Sequence, residues 1–262
     1  MSNATMPALP RTGGALSVRG LTKSYGGVKA LNGVDFEVAP GEILGLIGPN
    51  GSGKTTTIDC LCGLQRADAG SVRLDDNDIT GWRTTRLAHA GMVRTFQSVR
   101  TFETLTVRRN LHLADLGRRT PRSRLRDLLK IENGAGPLDD RIDALIERFD
   151  LRRVADLPAG ELSYGQRKLV EFAAACVRPP QVLLLDEPVA AVNPTVGASI
   201  RDWIEETAKS GTTVVLVEHN IEMVVDVCDR IVVLDQGRKI ADGGPRQVID
   251  LPEVQEAYFG RA

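Results

Sequence analysis

Residues 48–55 read Gly48-Pro49-Asn50-Gly51-Ser52-Gly53-Lys54-Thr55, which meets G-x-x-x-x-G-K-[ST] at every fixed position. Glycines at this spacing let successive backbone N–H groups turn inward and close on anionic oxygens with no Cβ in the way. Lys54 supplies a point charge for the outer phosphates of a nucleotide, and Thr55 a hydroxyl for the Mg²⁺ that accompanies them. A helix that starts here adds its partial positive charge to the same place, and Thr56, one residue on, is counted with the loop. A second group of chemically able residues follows the apolar run Val182-Leu183-Leu184-Leu185. Asp186 suits Mg²⁺ held through water. Strand alternation sends Glu187 to the opposite face, where it suits the orientation of an attacking water. A salt-bridged pair is the plainer alternative for these two acids.

These groups need rigid elements behind them. Ile43-Leu44-Gly45-Leu46-Ile47 predicts a buried strand entering the loop, and a helix from Thr55 to Cys62, stopped by Gly63, leaves it. Val182 to Leu185 suits a strand buried on both faces, as in a parallel sheet. Carboxylates at the C-terminal end of such a strand lie where ligands bind in open α/β sheets. Thr213 to Val217 predicts another buried strand, and His219 follows it as Glu187 follows its own, within reach of the same ligand. Ser163 is a good N-cap for a helix running to Val177. Beyond capping, Ser163 and Gly165 at a helix start form a candidate second anion site, with Gln166 beside them. In Ser24-Tyr25-Gly26-Gly27-Val28 the glycines mark a turn. Tyr25, with Val28 across it, offers a π-face to adenine; packing of the hairpin is the simpler role.

Composition sets bounds. A chain of 262 residues holds one or two domains and buries a sizeable core. A formal net charge of -1 excludes a whole-molecule polyanion binder. No apolar run approaches the roughly 18 residues of a membrane span. Residues 1–15 carry Pro, Gly, Ser and Thr without an apolar segment, which predicts a disordered tail rather than a secretory signal. Cys60, Cys62, Cys176 and Cys228 lack zinc-type spacing and are expected to be reduced, structural thiols of a cytosolic protein.

Elsewhere Leu16 to Leu21 and Val34 to Val38 alternate as half-buried strands do. Gly70 to Leu74 predicts a short strand and Asp75-Asp76-Asn77-Asp78 a solvated turn, since it lacks the glycine and distal Glu of an EF-hand loop. A strand over Met92 to Phe96 ends at Gln97. Between Arg100 and Lys130 nine basic residues face three acids. Leu105, Val107, Leu111, Leu113 and Leu116 predict helix there, as do Ile142, Leu145, Ile146 and Phe149 in the stretch Leu138 to Leu151. The basic run has the charge for nucleic acid or anionic lipid. No aromatic residues interleave it, so a solvated helix face is the expectation. Arg230 to Leu234 and Lys239 to Ala241 predict an added antiparallel hairpin, and Pro252 to Phe259 a closing helix.

Taken in order, these motifs resemble the ATP-binding subunits of ABC transporters over about residues 16 to 260. The resemblance rests on Gly48 to Thr55, Gln97, the signature Leu162-Ser163-Tyr164-Gly165-Gln166, the strand ending Asp186-Glu187, and His219. It implies an α/β fold: a P-loop NTPase core of ABC type with an antiparallel β lobe and a helical lobe carrying the signature. Residues 16–262 would form one nucleotide-binding domain, with the helical lobe at about 98–165. It also implies two such domains meeting head to tail, each ATP lying between the phosphate loop of one and Ser163 with Gly165 of the other. The physics agrees, because an isolated phosphate loop leaves the γ-phosphate half solvated and a facing helix start would complete the charge cage. By the same resemblance Glu187 is the general base or water orienter, Gln97 touches Mg²⁺ and senses the membrane partner, and His219 contacts the γ-phosphate. The implied partners are a second ATP-binding subunit, identical or paralogous, transmembrane permease subunits and, indirectly, a periplasmic or extracellular binding protein. No nucleic acid is implied, and the place of work is the cytoplasmic face of the cell membrane, as a peripheral subunit.

Tyr164 stands where Gly is usual, and Asn193 where Asp is usual. With Arg94-Thr95-Phe96-Gln97 and Glu256-Ala257-Tyr258-Phe259-Gly260, these departures resemble the branched-chain amino-acid uptake branch. The ATP-binding subunit for lipopolysaccharide export is the nearest rival. DNA-repair and chromosome-structure ATPases share loop and signature but place a long coiled coil or zinc module between them; the insert here has neither sustained heptads nor paired cysteines. Translation-associated ABC proteins carry two nucleotide domains, and this chain has one phosphate loop. A phosphotransferase would leave the signature unexplained.

Overall fold

The computed structural model describes residues 13–95, 99–117 and 136–259. In chain order the strands are β1 (Leu16–Tyr25), β2 (Val28–Val38), β3 (Ile43–Ile47), β4 (Ala69–Leu74), β5 (Asn77–Asp78), β6 (Met92–Arg94), β7 (Val182–Asp186), β8 (Thr213–Val217), β9 (Arg230–Asp235) and β10 (Arg238–Gly243). The helices are α1 (Lys54–Leu61), α2 (Thr84–His89), α3 (Val107–Gly117), α4 (Pro137–Arg148), α5 (Tyr164–Cys176), α6 (Pro194–Lys209), α7 (Ile221–Val227), α8 (Pro245–Ile249) and α9 (Pro252–Phe259). They fall into two compact units. One takes Thr95–Pro179 and Val189–Ile200; the other takes the described residues up to Arg94, Pro180–Pro188, and those from Arg201 onward.

The second unit contains both sheets. The smaller is antiparallel, in the order β2-β1-β4-β5. Leu16 faces Val38 and Val18 faces Phe36 across β1 and β2, and all four are buried, the period-two pattern of a one-sided sheet. The hairpin runs further than its apolar alternation because Gly26 and Gly27 both take positive φ, 53° and 88°, the two-residue turn that matches strand twist. The first two residues of Asp75 to Asp78 turn as expected, but Asn77 and Asp78 pair back onto Leu74 and Arg73 as β5. Among the described residues, no group of three His, Cys, Asp or Glu is disposed to hold a metal.

The larger sheet has the order β10-β9-β3-β8-β7-β6. Its strands pair in parallel except β10, which runs antiparallel to β9. β3, β7 and β8 are buried along their whole lengths, which is why they read as unbroken apolar runs. β6 stops at Arg94, short of the expected Phe96; Phe96 and Gln97 lie outside the described residues. The C-terminal hairpin is therefore no appendage, since β9 pairs directly with β3.

In the first unit α3, α4 and α5 pack on one another around Val107, Leu111, Ile142, Leu145, Val170 and Phe172, all buried. Leu105 is not in α3, because the Thr106 hydroxyl accepts from the Arg109 amide at 3.2 Å and caps the helix at that point. Phe149 lies just past α4, which ends as Asp150 turns left-handed (φ 52°). Residues 118–130 of the basic run are outside the described residues. Within it, Arg108 pairs with Asp143 at 2.7 Å and approaches Asp156 at 3.8 Å.

Packing is tight behind the phosphate loop. A Cβ at Gly45 in β3 would come within 2.9 Å of both Cys228 Sγ and Ile231 Cγ2. Gly45→Ala therefore overpacks the core and is expected to cost about 1–3 kcal/mol, read as a lowered denaturation midpoint at unchanged m-value. A variant as stable as the parent would show that the sheet and α7 have slack here.

Candidate functional site

The phosphate loop leaves β3 and turns into α1. At Gly48 (φ 144°) a Cβ would lie 2.0 Å from the Leu234 carbonyl oxygen, and at Gly53 (φ 108°) 2.7 Å from that of Ala30. The loop is thus wedged against β9 and β2, so glycine is demanded by close approach as well as by backbone sign. The turn between β9 and β10 closes the wedge, for Gly237 N–H donates to the Ser52 carbonyl at 3.0 Å and Asn32 N–H to that of Gly237 at 2.8 Å. Composition gave no hint of this support; the only local sign is the turn glycine itself. Ser52 Oγ is buried inside the loop without a hydrogen-bond partner, an orphan that a bound oxygen or water would satisfy.

Lys54 Nζ donates to the Gly48 carbonyl at 2.7 Å and the Pro49 carbonyl at 3.0 Å. Burial pulls its ammonium below the ordinary lysine value, while the charges of Glu187 and Asp186 work in the other direction. α1 starts at Lys54, one residue earlier than expected; Thr55, its second residue, is exposed to solvent and Thr56 is half-buried beside it. Asp186 ends β7 and accepts from Arg94 Nη2 through Oδ2 at 2.9 Å. Arg94 Nη1 bonds Asp59 of α1. Asp186 is thus salt-bridged to Arg94, which links it to Asp59.

Glu187 departs from expectation. β7 ends before it, and Glu187 has a left-handed φ of 48°, so strand alternation does not set its direction. Its amide donates to the Val217 carbonyl at 2.9 Å, and its Oε1 lies 3.4 Å from Nδ1 of the exposed His219. A non-glycine residue in this region is strained and is found where surrounding structure holds it. Lys54, Asp186, Glu187 and His219 thus gather at the C-terminal ends of β3, β7 and β8. Tyr25 and Val28 stand exposed at the tip of the first hairpin, 45% and 71% accessible, with Lys23 Nζ 5.4 Å from the Tyr25 ring.

In the other unit, Ser163 caps α5. Its hydroxyl accepts from the Gln166 amide at 3.3 Å, and Gln166 Oε1 accepts from the Ser163 amide and hydroxyl, each at 3.0 Å, a complete capping box. Gly165 lies against Val196, which a Cβ would meet at 3.3 Å. Asn193 Oδ1 accepts from the Val196 amide at 2.9 Å, so this departure from Asp still caps α6. Gln97 lies outside the described residues. All four cysteines are free thiols; burial pushes Cys60 up to about 11 and Cys228 up to about 12, too high for reactivity at neutral pH.

Comparison with known proteins agrees with this arrangement. The profile of the ABC transporter family matches residues 31–190. BraF, a high-affinity branched-chain amino acid transport ATP-binding protein of Pseudomonas aeruginosa, is 37% identical over 258 residues, covering 94% of this chain and 98% of that protein. LivG of Escherichia coli, described in the same terms, is 38% identical over 251 residues with the same coverage. Among solved structures, the ADP conformation of an ABC-transporter ATP-binding cassette matches with a TM-score of 0.82 and 33% identity, over 95% of this chain and 99% of that one. A dimeric, post-hydrolysis cassette bound to ADP and Pi matches with a TM-score of 0.72 and 25% identity, over 88% and 99%. The chain belongs to the ABC transporter family, as one of its nucleotide-binding, ATP-hydrolysing subunits.

Proposed function

We propose that this protein is the ATPase subunit of a branched-chain amino-acid importer, working in a pair of nucleotide-binding domains on transmembrane permease subunits. The observation that carries the catalytic part is the convergence of Lys54 with Asp186 and Glu187 at the C-terminal ends of the parallel strands β3 and β7, which flank β8. Similarity to BraF and LivG over nearly the whole of each chain supports the substrate class. The dimeric cassette with ADP and Pi supports the paired arrangement. The pair is identical or paralogous, peripheral to the cytoplasmic face of the membrane, and a binding protein delivers the amino acid from the other side.

Each residue has a physical task in this reading. Gly48 to Gly53 wrap the phosphates with backbone N–H groups. Lys54, already held by two loop carbonyls, swings its charge onto the β- and γ-phosphates. Tyr25 stacks on adenine, flanked by Val28. The Thr55 hydroxyl and Asp186 carboxylate are hard oxygen donors of the kind Mg²⁺ takes alongside phosphates and waters, and Gln97 adds a third. The bound ion would neutralise charge developing on the phosphate oxygens. Glu187 orients the attacking water and draws its proton, with His219 steering Glu187 and touching the γ-phosphate. Ser163, Gly165 and Gln166 of the second subunit close the other side. Residues 16–262 act as one domain, with the lobe at about 98–165 carrying the signature.

Three outcomes check this reading. Glu187→Gln is expected to bind ATP yet turn over about 10²- to 10⁴-fold more slowly and to accumulate as an ATP-bound dimer in light scattering; near-normal turnover rejects the assignment. Tyr25→Ala should weaken nucleotide binding by the roughly 1–3 kcal/mol of a base–aromatic stack, leaving kcat nearly unchanged at saturation. In proteoliposomes with its permease subunits, ATP hydrolysis should rise with binding protein loaded with leucine, isoleucine or valine. Stimulation by an unrelated solute instead would displace the substrate class while leaving the ATPase intact.

A further inference from the structure

Arg94 is the last residue of β6, and no part of the mechanism above uses it. Its side chain is only 8% exposed, as is usual for an arginine only when its charge is matched. One guanidinium nitrogen, Nη2, bonds Asp186 at 2.9 Å; the other, Nη1, bonds Asp59 and lies 3.4 Å from Cys62 Sγ. Burial works against the charge of Arg94, but the bonds to Asp59, Cys62 and Asp186 hold it above its ordinary value. Asp59 belongs to α1, whose first residue is Lys54. A planar fork with donors on separate arms can hold two carboxylates at a fixed separation; an ammonium cannot. Asp186 is engaged through Oδ2, and a carboxylate keeps further acceptor positions for a metal's water.

We propose that Arg94 is a positioning residue for the metal-binding carboxylate, clamping Asp186 to Asp59 so that strand β7 and the helix leaving the phosphate loop present their ligands in one register. The proposal rests on the reading of Asp186 as the Mg²⁺ acid. Partners of this kind orient a ligand and typically change metal affinity 10- to 100-fold when removed. In this role Arg94 acts through Asp186, not on the reacting atoms.

The test separates metal binding from nucleotide binding. In the full chain, ATP affinity is measured by a fluorescent analogue in EDTA, and Mn²⁺ affinity of the nucleotide complex by electron paramagnetic resonance. Arg94→Gln is expected to leave the first within about twofold and weaken the second about 10- to 100-fold. Arg94→Lys should recover part of the loss, and Asp59→Asn should weaken Mn²⁺ in the same direction by a smaller factor. In an Asp186→Asn background, Arg94→Gln should have no further effect on Mn²⁺, because coupled residues are not additive. Unchanged or tighter Mn²⁺ binding by folded Arg94→Gln overturns the proposal. If that variant does not fold, wild-type Mn²⁺ affinity in Asp59→Asn overturns it instead. Asp186→Asn with unaltered Mn²⁺ affinity would remove the reading of the metal acid itself, and Arg94's role with it.

Discussion

An ammonium held partly inside the protein, with two carboxylates across from it, is the constraint that the rest of the structure serves. Burial alone would favour neutral Lys54; Glu187 and Asp186 oppose that, and the Gly48 and Pro49 carbonyls accept hydrogen bonds from its ammonium. Such an arrangement needs the loop and the acidic strand end to lie level. The sheet provides this through β8, which separates β3 from β7. Val217 of β8 pairs with Leu46 on one side and Asp186 on the other. Gly48 therefore emerges two residues beyond the level of Asp186. Parallel pairing is what places both C-terminal ends at one edge, and burial on both faces is what keeps the register from slipping.

The loop's shape is set from outside as much as by its own glycines. A Cβ at Gly48 would collide with the backbone of Leu234, one at Gly53 with that of Ala30, and one at Gly237 with the same Ala30 carbonyl at 2.6 Å. Three glycines from two distant parts of the chain therefore meet the ends of two strands, β2 and β9. Backbone cannot yield as a flexible side chain can. The antiparallel hairpin at the N-terminal side and the β9–β10 turn near the C-terminus are consequently part of the phosphate site, although neither carries a residue of the motif. Tyr258 of α9 is half-buried, and burial raises its phenol above the ordinary tyrosine value.

Most of the core was legible because its elements obey simple rules. Three unbroken apolar runs became β3, β7 and β8; the motif at residues 48–55 carried its own context; and Ser163 announced a helix start, which the structure completes as a capping box with Gln166. What stayed hidden depended on distant partners. Nothing local to Arg94 tells that its fork spans Asp59 and Asp186, since those lie 35 and 92 residues away. Alternation cannot set the direction of Glu187, because it assumes the strand continues, and β7 ends just before this left-handed residue. The hairpin over β9 and β10 showed its alternation plainly, but pairing of β9 with β3 is a tertiary fact. For Arg94 and for β9 the missing information was a long-range pairing that tertiary packing, rather than propensity, decides.

The capping box bears on how a composite site could work. In this chain the Ser163 hydroxyl already accepts from one Gln166 group and donates to another, so it is satisfied without any ligand. In the composite site proposed above, a γ-phosphate presented by a second subunit would take the place of the Gln166 side chain as acceptor for that hydroxyl. The exchange is one hydrogen bond for another, but the new acceptor is charged, and charge-assisted bonds are roughly twice as strong as neutral ones. On that proposal the gain would exist only while a γ-phosphate is present and would vanish once it leaves, when Gln166 would reclaim the hydroxyl. A neutral, self-satisfied cap is in this sense a better sensor than a free hydroxyl, because it gives assembly no reward in the absence of the nucleotide's terminal charge.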